Sequence, residues 1–328
     1  MSYYVIGLGS MGKRRVRCLI ALGIKSEDIW GFDTREDRCV EAKEKYSINI
    51  ASNIEDVDFD NVKAIIVSLP PDKHNIGINI AVKYNKPVFV EASVMLDETV
   101  EIEKNSKNIF VAPSCTFIFH PMIKEIKKII TSASLGKVCN FSYHSGQYLP
   151  DWHPWEDVND FYVSKKETGG AREIVPYELT WITDVFGFPK QIKGYYRKTG
   201  FVGCDIDDSY VCCLDYNDMI GTLVVDVISR YPARNLIINC QDGQIQWRWD
   251  SNCIEVYDAK QKKTTYIDQN IQIHEEGYSD MIGEEMYIEE IDRFLKGIDD
   301  SAQYPNTLDK DIKVLRLLDD IEKSDYNR

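Results

Sequence analysis

Residues Tyr4-Val5-Ile6-Gly7-Leu8-Gly9-Ser10-Met11-Gly12-Lys13 set a Gly-x-Gly-x-x-Gly loop directly after a short apolar strand. The first glycine permits a tight turn, the second lets backbone approach a diphosphate, and the third lets the next helix pack close to the sheet. That helix, read from Lys13 to Leu22, spaces Val16, Leu19 and Ile20 for one buried face. Its opening turn offers N–H groups and the positive dipole end to an anion. Gly7, Gly9, Ser10, Met11 and Gly12 are therefore expected to hold a dinucleotide.

Context strengthens the motif. A second strand, Ile29-Trp30-Gly31-Phe32-Asp33, ends in an acid at the separation expected for the ribose-binding carboxylate. Asp33 there favours NAD, because a 2′-phosphate would meet like charge. Arg35 and Arg38 could each neutralise such a phosphate, so NADP stays open. The structural alternative is that Asp33 caps a helix starting near Arg35.

A chain of 328 residues is long for one core and predicts two domains. Through residue 120, short apolar strands (Tyr3 to Ile6, Ile29 to Asp33, Ala64 to Ser68, Val88 to Glu91, Ile109 to Ala112) alternate with helical stretches. That is the pattern of a doubly wound parallel α/β sheet, a Rossmann domain. From 121 to 328 the texture becomes α+β. Long alternating segments at 138–148, 209–216, 220–229, 236–240 and 244–249 read as a large, mostly antiparallel sheet, with Asn217-Asp218 and Asp242-Gly243 as hairpin turns. Helices are expected at Val175 to Phe186, Glu284 to Leu295 and Leu308 to Glu322, the last packing back on the first domain.

Charge and cysteine usage narrow the function. With 53 acidic against 39 basic residues, the formal charge of −14 repels phosphate backbones and argues against a nucleic-acid partner. The nine cysteines show no Cys-x-x-Cys pair and no metal-ligand spacing, so reduced thiols in a cytoplasmic protein are expected, with no metal. The first strand starts too early for a signal peptide, and no apolar run reaches membrane-spanning length. Signatures of Gly-x-Ser-x-Gly hydrolases, His-Glu-x-x-His proteases and P-loop enzymes are missing.

Further site residues follow from strand ends, because ligands of open α/β sheets bind beyond the carboxyl edge. One strand leads into Ser68-Leu69-Pro70-Pro71-Asp72-Lys73-His74, and another ends at Glu91. Ser68, Leu69, Pro70, His74 and Glu91 are expected to border the cofactor, Glu91 near the nicotinamide ribose. Equally, His74 could be a helix-terminal hydrogen-bonding residue with no ligand.

At these residues the chain resembles the Gfo/Idh/MocA family of NAD(P)-dependent oxidoreductases nearly end to end. The resemblance rests on Gly7 to Gly12, on Pro70-x-x-x-His74, and on Glu91-Ala92-Ser93 at the family's Glu-Lys-Pro element. It implies an N-terminal Rossmann domain and a C-terminal α/β domain whose open sheet builds homodimers or homotetramers. Two departures follow. The family lysine, which aids proton transfer, is Ala92, and the family's acid/base histidine falls on Tyr177, anchored by Phe186-Gly187. The upstream acid then falls on Glu173 or is lost.

Tyrosine serves as an acid/base when a cation such as Arg172, Lys165 or Lys166 lowers its pKa. The catalytic expectation is therefore Tyr177, or failing that His153, with Glu173 and Arg172 orienting a sugar; equally, Tyr177 could be an inert residue packed under the substrate pocket. The segment Asp151-Trp152-His153-Pro154-Trp155, led in by Gly146 to Pro150, looks like a sugar-handling subgroup. Trp152 and Trp155 suit a polyol face, with Arg172, Lys165, Lys166 and Arg234 available for an acidic sugar. The same aromatic residues could instead cover a sheet edge or a dimer contact. His120, His144 and His274 fit no ligand or triad spacing.

The leading expectation is an oxidoreductase passing hydride between nicotinamide and a hydroxyl-bearing sugar carbon, with the resemblance suggesting bacterial surface-glycan or nonulosonic acid chemistry. The alternatives are a non-catalytic NAD(P)-binding sensor or assembly protein, which Ala92 and Tyr177 favour, and a redox-neutral NAD-dependent epimerase or lyase.

Overall fold

A computed structural model describes residues 1–152, 157–251, 253–269 and 283–325. Two compact units emerge: residues 1–116 with 284–313, and residues 117–283 with 314–328.

In the first unit, β1 (Ser2–Ile6), α1 (Ser10–Ala21), β2 (Ile29–Phe32), α2 (Glu36–Tyr46) and β3 (Asn49–Ile50) form one wing. The other wing holds β4 (Val62–Val67), α3 (His74–Lys83), β5 (Val88–Val90), α4 (Leu96–Asn105) and β6 (Val111–Pro113). The six strands are parallel in the order β3-β2-β1-β4-β5-β6. The order reverses between β1 and β4, and that switch point is where such sheets bind nucleotides. Strands buried on both faces read as continuous apolar runs, and Tyr4, Val5, Ile6, Ile65, Ile66 and Val67 are all fully buried. The short strand β3 had no apolar run to announce it, since only Asn49 and Ile50 pair, with Trp30 and Gly31.

The second unit contains α5 (Pro121–Ser132), β7 (Val138–Tyr148), α6 (Ala171–Phe186), β8 (Gln191–Arg197), β9 (Ser209–Asp215), β10 (Ile220–Asp226), β11 (Ile228–Cys240), β12 (Gly243–Arg248), β13 (Cys253–Asp258) and β14 (Lys263–Asp268). Its eight strands run in the order β14-β13-β12-β11-β7-β10-β9-β8, antiparallel except where β10 pairs with β7. One face buries Phe141, Tyr143, Leu214, Leu223, Ile238 and Trp247. The other carries exposed Tyr195, Val211, Ile220, Ile237, Tyr257 and Tyr266.

Two more helices complete the chain. α7 (Glu285–Gly297) belongs to the first unit, while α8 (Leu308–Ser324) gives residues 308–313 to the first and 314–324 to the second. Leu308 packs against the Rossmann core.

Helix α6 begins at Ala171, ahead of the expected Val175, because the chain enters it through two glycines without room for side chains. A Cβ on Gly169 would lie 1.9 Å from the Val163 carbonyl oxygen, and Gly170 adopts φ +61°. The strands β8, β13 and β14 were not expected. In β14 nearly every residue is exposed, so no apolar alternation marked it.

Candidate functional site

The nucleotide-binding elements converge at the carboxyl edge of β1 and β4. Gly7 has φ +94°, and a Cβ there would sit 2.4 Å from the Ser68 carbonyl oxygen. One on Gly12 would lie 1.8 Å from the Gly7 carbonyl oxygen. The loop Gly7-Gly12 thus folds on itself and against Ser68, a cradle that any side chain at these two positions would fill. Gly9 precedes α1 in extended conformation with no side-chain cap, and no acid occupies the first turn. First-turn N–H groups have no helical carbonyl to donate to, so Ser10, Met11 and Gly12 stand where backbone donors meet an anion. These residues fit a dinucleotide.

Asp33 sits just beyond β2. Its Oδ2 accepts from the Leu8 amide at 2.7 Å and its Oδ1 from the Arg35 amide at 2.9 Å, so it ties the glycine loop to the start of α2. Each carboxylate oxygen can accept a second hydrogen bond, which leaves capacity for ribose hydroxyls. Asp33 does not cap α2, whose cap residue is Arg35 with no side-chain cap hydrogen bond, so the ribose-binding expectation is the one its free acceptor capacity suits. The nearer cation is Arg38, 3.7 Å from Asp33 Oδ2 and beside Gly9. The Arg35 fork turns onto Asp37 at 2.6 Å.

In the loop after β4, buried His74 places Nε2 2.9 Å from the Leu69 carbonyl oxygen. Burial lowers its pKa to about 4, so the neutral ring donates Nε2–H and fixes Leu69 and Pro70 beside the glycine loop. Glu91 just past β5 receives a two-pronged contact from Arg15 (2.7 and 2.8 Å) and a hydrogen bond from the Ser68 hydroxyl at 3.2 Å. Arg15 is fully buried and also donates to Glu290 at 2.7 Å. Glu290 collects further donors from the Cys115 amide at 2.6 Å and the Thr116 hydroxyl at 2.6 Å. Arg15 and Glu290 went unnoticed in the sequence. The available signal was an Arg14-Arg15 pair inside the apolar spacing of α1, where a buried cation demands buried acids.

The second unit presents a different chemistry. On α6, Glu173 and Tyr177 lie four residues apart and so share a helix face. The Tyr162 hydroxyl donates to Glu173 Oε1 at 2.6 Å, while buried Oε2 has no hydrogen-bond partner among the described residues. Burial pushes this carboxyl up to about 7, against the lowering effect of the Tyr162 hydrogen bond. The Tyr177 ring packs on Phe117, centroids 5.5 Å apart.

Beside Tyr177, Glu178 points into the unit and accepts four hydrogen bonds. Ser145 Oγ (2.8 Å) and Arg234 Nε (3.2 Å) donate to Oε1, and Tyr143 OH (2.9 Å) and Trp181 Nε1 (2.6 Å) donate to Oε2. Arg234 stands 4.8 Å from the Phe117 ring centroid and 4.6 Å from that of Trp249. Neutral His120, its pKa lowered to about 3 by burial with Arg234 repelling its charged form, caps α5 through Nδ1 and packs in tilted contact with Trp247 and Trp249. His144 pairs instead with Asp226 at 2.7 Å.

Other expected sugar contacts are placed differently. The Arg172 guanidinium forks onto Glu322 at 2.8 and 3.2 Å and donates to the Glu167 carbonyl at 2.6 Å, a contact set that anchors α6 to α8. Lys166 pairs with Asp207 at 3.6 Å, and Lys165 is exposed. Trp152 is half-buried, and its indole N–H has no partner among the described residues. His153 and Trp155, like His274, lie outside the described residues. All nine cysteines are free thiols, and no helix among the described residues is long and apolar enough to cross a membrane.

Residues 1–112 match the model of the oxidoreductase family with an NAD-binding Rossmann fold, and residues 123–246 match the Gfo/Idh/MocA C-terminal domain. No curated protein matches the chain. Among solved structures, an oxidoreductase from Agrobacterium radiobacter, in complex with NAD+, L-tartaric acid and magnesium, aligns with TM-score 0.84 at 12% identity over 100% of this chain and 97% of that one. Levoglucosan dehydrogenase in complex with NADH aligns with TM-score 0.81 at 16% identity, over 99% and 96% of the two chains. UDP-N-acetylglucosamine 3-dehydrogenase from Acidithiobacillus ferrooxidans gives TM-score 0.77 at 15% identity, over 99% and 97%. At these identities the likeness is one of fold.

Proposed function

Because the chain belongs to the Gfo/Idh/MocA family of NAD-dependent oxidoreductases, we propose that it is a sugar dehydrogenase or reductase whose α6 face handles the hydroxyl proton. The Gly7–Gly12 loop with Asp33 would hold NAD+, which when bound would supply the hydride acceptor for oxidising a carbinol carbon to a carbonyl, while the hydroxyl proton passes to the protein. Tyr177 moves that proton, and Glu173, one turn upstream, orients the hydroxyl and takes over the proton. The carrying observation is the pairing of these two residues on one helix face, with a buried Glu173 carboxyl held near 7 and one oxygen unpartnered. A group with its pKa near the working pH is best suited to exchange protons there. The Ala92 methyl cannot share this work. Solved levoglucosan and UDP-N-acetylglucosamine dehydrogenases of the same fold support a sugar substrate.

Nicotinamide absorbance with a sugar panel tests the reading. Turnover that survives unchanged in Tyr177→Phe removes Tyr177, and an unchanged pH profile in Glu173→Gln removes Glu173. Coenzyme binding with no turnover on any sugar favours the non-catalytic alternative.

The exposed face of the second sheet suits self-association. Tyr195, Val211, Ile220, Ile237, Tyr257 and Tyr266 all project from that face, an apolar area of the kind that marks protein contacts. A homodimer or homotetramer through it predicts that Ile237→Glu lowers the mass seen by light scattering.

A further inference from the structure

The cations that could serve a charged ligand in the second unit divide sharply. Arg172 is committed to Glu322 and the Glu167 carbonyl, Lys166 to Asp207, and Lys165 lies on the exposed surface. Arg234 differs from all three. Its residue is nine-tenths buried, yet among the described residues its one hydrogen bond is Nε to Glu178. Its two Nη groups, carrying four N–H donors, have no acceptor there. Neither Nη is among the buried unpartnered nitrogens, so the exposed 11% of the side chain includes the open end of the guanidinium.

We propose that Arg234 is the receptor for an anionic group, a carboxylate or phosphate, on the sugar bound at this α6 face. The inference rests on the proposed sugar oxidoreductase and specifies its substrate class. Arg234 is pre-set for the task. Glu178 holds its Nε edge, and the faces of Phe117 and Trp249 fix its plane. A guanidinium so fixed loses little conformational freedom when its Nη edge meets two oxygens side by side. Glu178 does not cancel this attraction, because Tyr143, Ser145 and Trp181 spread its charge over three further donors. Tyr177 adjoins the same cation: it is the neighbour of Glu178 in sequence, and its ring packs on Phe117. An anionic sugar anchored by Arg234 is thereby brought to the residue assigned to its hydroxyl.

The test needs no variant at its first step. Calorimetry on the full chain with NADH present compares glucose, galactose and mannose with their uronates and 6-phosphates. At least one anionic sugar should bind about tenfold more tightly than its neutral parent, as a charge-assisted hydrogen bond requires. A uronate preference identifies carboxylate, a 6-phosphate preference phosphate. Arg234→Gln should abolish the preference and Arg234→Lys retain part of it, with circular dichroism confirming both are folded. Equal or tighter binding of the neutral parents, no binding of any anionic sugar at millimolar concentration, or a preference that persists in folded Arg234→Gln overturns the proposal. Nicotinamide absorbance on the same samples reads the reaction separately. Turnover of neutral sugars alone removes Arg234 and keeps the oxidoreductase, whereas Arg234-dependent anion binding without turnover does the reverse.

Discussion

Glu178→Gln isolates the energetics of the charge pair beneath the α6 face. The carboxylate is fully buried and accepts four hydrogen bonds, two per oxygen. A glutamine keeps one acceptor oxygen and puts a donor NH2 in place of the other. With NH2 toward Ser145 and Arg234, the serine hydroxyl can turn to accept but Arg234 Nε–H cannot. With NH2 toward Tyr143 and Trp181, the phenol can accept but the indole N–H cannot. Either rotamer strands one obligate donor, and the guanidinium also loses its buried counter-charge. Removing one partner of a buried pair costs about 3–5 kcal/mol. For a unit of this size that corresponds to roughly 10 °C in melting temperature.

Urea titration followed by tryptophan fluorescence reports mainly on this unit, which holds Trp181, Trp247 and Trp249 against Trp30 in the first. The double variant Glu178→Gln/Arg234→Met removes both charges, so its loss should fall short of the summed single losses by about 2–3 kcal/mol. A Glu178→Gln cost below about 1 kcal/mol, or strict additivity in the cycle, would refute the account of a coupled buried pair.

Four further outcomes are expected. Gly12→Ala drives a methyl into the Gly7 carbonyl, so calorimetry should show loss of NAD binding and denaturation a loss of about 1–3 kcal/mol; unchanged affinity would remove the cradle. Arg15→Met leaves Glu91 and Glu290 without their shared cation and should destabilise by about 3–5 kcal/mol in thermal melts. Buried Asp311 keeps its proton up to about 7, while the unfolded chain releases it near 4. The folded state therefore holds more protons across that window, so stability falls as pH rises from about 4 to 7. Asp311→Asn should remove this component, gaining on wild type in urea at pH 8 relative to pH 4; identical pH profiles would refute it. Glu173→Gln should erase a limb near pH 7 in kcat/KM measured with any turned-over sugar, the sign being that activity requires the ionised carboxylate in the oxidising direction.

The sequence by itself determined the nucleotide half of this protein. The glycine loop, Asp33 and the residues around Pro70 and His74 are signalled by residue type and short spacing, even though the loop meets Ser68 and Asp33 meets Leu8 only through space. The apolar runs of β1 and β4 reveal a sheet buried on both faces in the same way. Strands such as β14, almost wholly exposed, carried no such imprint. Tyr177 and Glu173 were indicated by the family resemblance rather than by helical spacing, since the expected helix began only at Val175, and the partnering of charges was not legible. Arg172, Lys165, Lys166 and Arg234 are equivalent as letters, and only tertiary structure committed Arg172 to Glu322, Lys166 to Asp207 and Arg234 to Glu178. A buried ion finds its counter-ion through space, between elements 56 to 275 residues apart for Arg234 with Glu178 and Arg15 with Glu290, and no local periodicity encodes that choice.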